Sequence, residues 1–403
     1  MKRKIGLSAL ALALMCGAAH AQYTDGTIKI GVLTDMSGTY ADLSGQGSVV
    51  AARMAVEDFG AAAKGMKVEI IGADHQNKPD VGSNIARSWI DTDKVDVIVD
   101  AVTSSVALAV NQIARDKNKV LLVSGAAASD LTGKECSPNT IHWAYDTWAL
   151  ANGTGQAIVK TGGDSWYFLT ANYAFGLALE RDTTAVIVKN GGKVLGQARH
   201  PFPANDFASF LLQAQASRAK IIGLANAGAD TINAIKQASE FGITRSGQNL
   251  AALLAFITDV HAIGLPTAQG LIMTEAWYWD LNEANRDFAR KFAPQYKGIH
   301  PTMVHAGVYS SVMHYLKAVE ALKSDADGKA VVAKMKEMPT EDKLFGRGSV
   351  RIDGRKIHPM YLLQVKTPAE SKAPWDYYKV RATIPENEAF RPLSESDCPL
   401  VKS

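Results

Sequence analysis

What this chain lacks narrows its chemistry first. Its 403 residues contain no G-x-S-x-G elbow, no H-E-x-x-H pair, no P-loop and no G-x-G-x-x-G turn after the first strand. The usual signatures of acyl transfer, metalloproteolysis and nucleotide binding are therefore missing. Its nine histidines show no metal-ligand spacing, and no metal or cofactor is expected. Net charge is also lacking. The formal +3 is carried by Lys2, Arg3 and Lys4, without which 40 basic residues face 40 acidic ones. A neutral chain with no basic stripe argues against a nucleic-acid partner. Long apolar runs are absent after the first residues, so no segment reaches the roughly 20 residues that span a bilayer. Three cysteines are all the sequence holds.

Residues 1–21 have the form of an export leader. A basic Lys2-Arg3-Lys4 start precedes a short apolar run over residues 5–16, and Ala19-His20-Ala21 is a small-x-small cleavage site. Cleavage after Ala21 would free a periplasmic protein beginning at Gln22. Met15 before Cys16 fits a lipobox poorly. Cys136 and Cys398 then remain in a compartment where disulfides form and persist. One bridge is expected between them, tying the C-terminal tail to the loop after the central segment, with two free thiols as the alternative.

Strand and helix patterns alternate through the chain. Residues 27–34, 66–72, 95–102 and 119–124 read as apolar strands, with helical spacing over 48–59, 81–90 and 106–115. After 147–160 a second series follows, with strands at 165–170, 193–198, 219–224, 250–254 and 270–275. Such alternation implies right-handed crossovers and parallel sheets covered on both faces. With 403 residues two domains are natural. The expected fold is α/β, with two Rossmann-like lobes joined by a three-stranded hinge crossing near Tyr145, Tyr278 and Phe345. The first lobe is read as 22–145 plus 279–345, the second as 146–278 plus 346–382, and the tail as 383–403.

Ligands in such sheets lie outside the carboxyl ends of the strands. There the sequence places Thr103, Ser104 and Ser105, between a strand and a helix. Hydroxyls at that junction either cap the helix or line an anion cradle where its first N–H groups lack partners. The small-residue turn 125–129, with Ala126 and Ala127, lies at the next strand end. Tyr40, Tyr145, Trp148, Tyr173, Phe256 and Trp277 fall near strand ends or crossovers, where they either wall a flat ring or pack the core.

The segments IKIGVLTDMSG (28–38), AARMAVEDFG (51–60), VLLVSGAAASDLTG (120–133) and NYAFGLALERD (172–182), with the TSS turn, carry a family likeness. The chain resembles the type I periplasmic solute-binding proteins of ABC importers, the group that includes the leucine/isoleucine/valine binders. That resemblance implies a monomeric bilobal protein, not an enzyme, that closes on one small ligand and presents it to a membrane permease. It also implies that the hydroxyl turn holds a ligand carboxylate, with Ser104 and Ser105 the preferred contacts. Amino-acid binders of the family put a hydroxyl in the next turn and an acid from the second lobe on the ligand ammonium. Here Ala127 stands at the first of these positions, and residues 253–257 offer no acid at the second; Asp259 comes a few residues later. An ammonium desolvated without a counter-charge costs several kcal/mol. The expected ligand is therefore a small organic acid without an amino group, most plausibly aromatic. Thr103, Ser104, Ser105, Ala126 and Ala127 would hold it, and Tyr173 and Asn226 would close from the second lobe. A binder of branched-chain amino acids, amides or urea is the alternative within the family. A periplasmic hydrolase, or a sensor for a membrane receptor, is the alternative outside transport.

Overall fold

The structure, a computed structural model, describes residues 23–402. The leader read over residues 1–21 and its cleavage after Ala21 lie outside them.

The chain begins with β1 (Ile28–Thr34), α1 (Gly45–Phe59), β2 (Val68–Asp74), α2 (Pro79–Ser88), β3 (Val97–Asp100), α3 (Ser104–Asp116), β4 (Val120–Val123) and β5 (Thr140–His142). All five strands pair in parallel, in the order β2-β1-β3-β4-β5. The sequences VIVD and VLLV of β3 and β4 are buried at every position, as strands covered by helices on both faces must be. Local signals set the helix ends. Pro79 opens α2 at a position that needs no N–H, and α1 stops at Gly60, whose φ of 71° suits a left-handed cap.

A helical stretch then runs from α4 (Thr147–Leu150) through a wider turn at residues 151–155 into α5 (Gln156–Lys160). The second lobe follows with β6 (Ser165–Ala171), α6 (Ala174–Lys189), β7 (Lys193–His200), α7 (Ala208–Ala216), β8 (Ile221–Ala225), α8 (Ala229–Glu240), β9 (Asn249–Ala252), α9 (Ile257–Ile263) and α10 (Leu265–Ala268). Its sheet is parallel, in the order β7-β6-β8-β9. Both sheets therefore reverse their winding between their first and third strands. The loops leaving β1 and β3, and those leaving β6 and β8, splay apart and open a crevice at each switch point.

The remaining strands and α-helices are β10 (Ile272–Glu275), α11 (Glu283–Phe292), α12 (Met303–Leu322), α13 (Gly328–Glu337), β11 (Thr340–Asp342), β12 (Gly346–Val350), β13 (Lys356–Ile357), β14 (Met360–Val365), β15 (Tyr378–Ile384), α14 (Glu386–Ala389) and α15 (Pro399–Lys402). The sequence puts β10 in the second parallel series. Instead it pairs antiparallel with β14, which pairs antiparallel with β15. An apolar run shows that a strand is buried but not which way its neighbour runs.

Helix α12 returns to the first lobe. Its N-cap Thr302 donates to Leu43 O at 2.7 Å, and His305 Nε2 lies 2.8 Å from Ser44 O. The β11–β12–β13 sheet follows, and the chain then passes at His358, whose Nε2 lies 2.8 Å from Ala144 O, into β14. The three passages between lobes thus lie side by side, which favours a single hinge motion. The expected Cys136–Cys398 bridge is present, with Cα atoms 5.6 Å apart.

Candidate functional site

The first-lobe wall is set by the loop after β1. Asp35, fully buried, accepts N–H groups from Gly38 and Tyr40, each at 2.8 Å, and the Asn77 side-chain amide at 2.6 Å. That turn fixes the direction of the Tyr40 ring. After β3, Thr103 takes the N-cap position of α3 in extended backbone but makes no side-chain cap; its hydroxyl donates to Asn77 Oδ1. Ser104 is the hydroxyl that faces the next strand end. Its Oγ accepts from Ala127 N at 3.3 Å and Ala128 N at 3.2 Å, joining the two turns. Tyr145 closes the floor by donating to Gly125 O at 2.5 Å.

The second-lobe wall comes from the residues that follow β6, β7, β8 and β9. Tyr173 precedes α6, and its ring stacks on Phe202 with centroids 4.2 Å apart. Phe202 also stacks on Tyr40 of the first lobe at 5.5 Å. The Tyr40 and Tyr173 hydroxyls hydrogen-bond to each other, and Ala229 N donates across the cleft to Thr39 O at 3.3 Å. Gly228, with φ of 58°, is required there: a Cβ would lie 2.4 Å from Thr39 O. The lobes are shut on each other.

Between them Tyr40, Leu43, Val102, Ser104, Gly125, Ala127, Tyr145, Tyr173, Phe175, Ala227, Leu254 and Phe256 line a narrow space of about 230 Å³.

Two parallel-sheet lobes, paired switch points and a cleft closed by hinge strands match a known architecture. The periplasmic binding protein family model matches residues 27–372. This chain belongs to that family. Among solved members, a periplasmic binding protein from Burkholderia mallei is 53% identical, with a TM-score of 0.91 over 94% of this chain and 100% of its own. A branched chain amino acid ABC transporter periplasmic ligand-binding protein from Burkholderia xenovorans is 39% identical, with a TM-score of 0.82 over 93% and 100%. A solute binding protein of an ABC transporter from R. palustris, solved in complex with benzoate, is 22% identical with a TM-score of 0.80 over 89% and 97%, a likeness of fold alone. No curated protein matches the chain.

Of the residues singled out in the sequence, Ser104, Ala127, Tyr40, Tyr145, Tyr173 and Phe256 converge on this periplasmic binding protein's cleft. The others do not line it. Thr103 is committed to Asn77, and Ser105 is half-buried beyond the first helical position. Ala126 turns its carbonyl to His142 Nε2 at 2.7 Å. Asn226 is fully buried between His200 Nε2 at 3.1 Å and the Thr231 hydroxyl at 2.7 Å. Trp148 lies beside Arg351, Asp353 and Arg391, and Trp277 packs edge-on against Phe288 in the core. Leu43, Val102, Phe175, Ala227 and Leu254 complete the lining. As single apolar residues beside turns they carry no signal that separates a wall from a core.

The cleft is poor in charge. Burial pushes the Tyr40, Tyr145 and Tyr173 hydroxyls well above the usual phenol range, so all three stay neutral. Carboxylates stand near but outside the lining. Asp259, raised to about 7 by burial, turns back to accept Phe256 N at 3.0 Å. Asp230, also raised to about 7 by burial, accepts Ala204 N at 3.0 Å.

Proposed function

We propose that this ABC transporter periplasmic substrate-binding protein takes a small carboxylic acid without an amino group, most plausibly an aromatic one. The observation that supports this is the lining itself: five aromatic rings, five aliphatic side chains, Gly125 and one serine hydroxyl at the start of α3, with no carboxylate among them. An acid group on Ser104 would meet the N–H groups and positive dipole end of α3. The rings of Tyr40, Tyr145, Tyr173 and Phe256 would flank the ligand. Burying roughly 150 Å² of ring at about 25 cal/mol per Å² supplies about 4 kcal/mol. Charge-assisted hydrogen bonds add about 1.5–3 kcal/mol each, which reaches the micromolar range after ordering costs. Proteins of the same fold that hold benzoate or 4-hydroxybenzoate guide the choice of probes.

Binding here is stoichiometric, without turnover, and the monomer hands its ligand to a membrane permease. Export with cleavage after Ala21 completes the reading; N-terminal sequencing of the exported protein should begin at Gln22.

The decisive experiment is a thermal-shift screen with benzoate, 4-hydroxybenzoate, aliphatic dicarboxylates and leucine, followed by calorimetry. A shift with the aromatic acids supports the reading, and a shift with leucine alone overturns it. Leucine is the specific rival because the 39% identical relative is described as a branched chain amino acid protein, and because Asp259 stands just behind Phe256.

A further inference from the structure

Beneath the floor of the cleft lies a carboxyl group that the binding reading does not use. Asp100 ends β3, is fully buried, and neither of its oxygens completes a hydrogen bond. The hydroxyls of Ser48, from α1, and Thr34, from β1, face it; the Ser48 Oγ has no partner either, and Thr34 bonds to Ser44 at 2.8 Å. Its position is tightly specified. Asp100 and Ala101 both adopt left-handed backbone, with φ of 77° and 50°, a strained conformation for two residues with side chains. They are held there by Ala101 N on Leu33 O at 2.8 Å and Ser124 N on Asp100 O at 3.3 Å. Above the carboxyl is Gly125, part of the cleft lining, where a Cβ would come within 2.7 Å of Asp100 Oδ1. The carboxyl is therefore separated from the cleft by one bare backbone residue, next to Val102 and Ser104.

We propose that Asp100 couples ligand binding to proton uptake: an acid seated on Ser104 is held as its anion above a neutral Asp100, whose proton is drawn from solvent as the ligand binds. This rests on the proposed binding of a carboxylic acid. Two carboxylates sharing a low-dielectric site cannot both stay ionised cheaply. Among the described residues the other titratable group facing Asp100 is Tyr145, after β5, which is itself neutral. Burial already raises Asp100 to about 6. A second negative charge beyond Gly125 raises it further. Well below that value the acid binds without taking up a proton; between it and the higher value reached with the acid bound, each binding event takes up as much as one and affinity falls with rising pH, and above both values uptake ceases and affinity levels off. A ligand acid of ordinary pKa is ionised throughout this range, so the dependence does not come from the ligand.

The test is calorimetry of the whole mature protein with benzoate and 4-hydroxybenzoate, in paired buffers of different ionisation enthalpy, from about pH 5.5 to about pH 8. The expected result is proton uptake that sets in above about pH 6 and a Kd about fivefold or more weaker at the upper end of the range than at the lower end. Asp230 and Asp259 titrate nearby, so Asp100→Asn must abolish both the uptake and the pH dependence, whereas Asp230→Asn and Asp259→Asn must keep them. If Asp100→Asn does not fold, retention of the uptake in both other variants assigns the proton to Asp100. Binding without proton uptake, affinity that rises with pH, or uptake lost in Asp230→Asn or Asp259→Asn overturns the inference and leaves the acid reading standing. No binding by either acid overturns that reading, and the inference with it.

Discussion

Ser104 does two jobs with one oxygen. It starts α3, and it accepts the N–H groups of Ala127 and Ala128 across the floor of the cleft. Replacing it with alanine strands two buried donors, at a cost to stability of about 1–3 kcal/mol. It also removes the one side-chain hydroxyl within reach of an acid group at the helix start. Ser104→Ala should weaken benzoate binding at least about tenfold, or about 1.4 kcal/mol, by calorimetry, and lower the denaturation midpoint in parallel. Ser105→Ala should leave affinity within about twofold. Equal losses from both would place the acid at the whole turn, not at Ser104. The hydroxyl cluster 103–105 was legible as a helix start, with Ser104 and Ser105 preferred over Thr103, but nothing local separated Ser104 from Ser105. Thr103 is drawn away by Asn77, a residue 26 positions earlier, and no local pattern announces that partner.

At the scale of elements, strand ends were the readable part. Tyr40, Tyr145, Tyr173 and Phe256 each follow a strand and reach the cleft: Tyr40 and Tyr173 after β1 and β6, where the sheets reverse, and Tyr145 and Phe256 after the edge strands β5 and β9. Asn226 also follows a strand, yet His200 at the end of β7, two strands away, and Thr231 on α8 take both ends of its amide. Which way a side chain faces at a strand end is decided by such neighbours. The contact of Tyr40 with Tyr173 and Phe202 is the link between these strand ends across the cleft. Tyr173→Phe keeps the stack on Phe202 but leaves the buried Tyr40 hydroxyl without its partner, and should speed ligand release about five- to tenfold in stopped-flow measurements. An unchanged release rate would mean that the bond does not hold the lobes shut.

Helix α9 makes a separate prediction about pH. Burial raises Asp259 to about 7, against about 3.9 in the unfolded chain. Between those values the folded protein keeps a proton that the unfolded chain has released. This group's contribution to stability is therefore complete below about pH 4 and declines as pH rises through about 7. Asp259→Asn removes that decline. Its stability relative to the parent protein should improve by up to about 1.4 kcal/mol per pH unit between about pH 4 and 7 and then level off. Urea titrations of both proteins across the range test this; a constant difference would mean that the carboxyl stays ionised in the fold.

The molecule as a whole is tied at its far end by the C-terminal tail. Cys398 is bridged to Cys136 in the first lobe, across 262 residues of sequence. On the way Arg391 reaches Asp182 of α6, in the second lobe, at 3.3 Å. Asp182 is nearly fully buried and also accepts the hydroxyls of Ser129 and Thr147, each at 2.6 Å. One strap therefore touches both lobes beside the hinge. Closing so long a loop restricts the unfolded chain more than any local contact can. Cys398→Ser should lower the unfolding free energy by about 2–5 kcal/mol in denaturant titrations under non-reducing conditions, with the parent protein falling to match when reduced. The ion pair with Arg391 should lose its purchase at the same time, because the tail that presents it is no longer anchored. Arg391→Ala in the bridged protein should then cost stability, whereas the same change in the Cys398→Ser background should cost about half as much or less. Equal costs in the two backgrounds would show that Arg391 grips Asp182 without help from the bridge, and that the tail is held at two independent points.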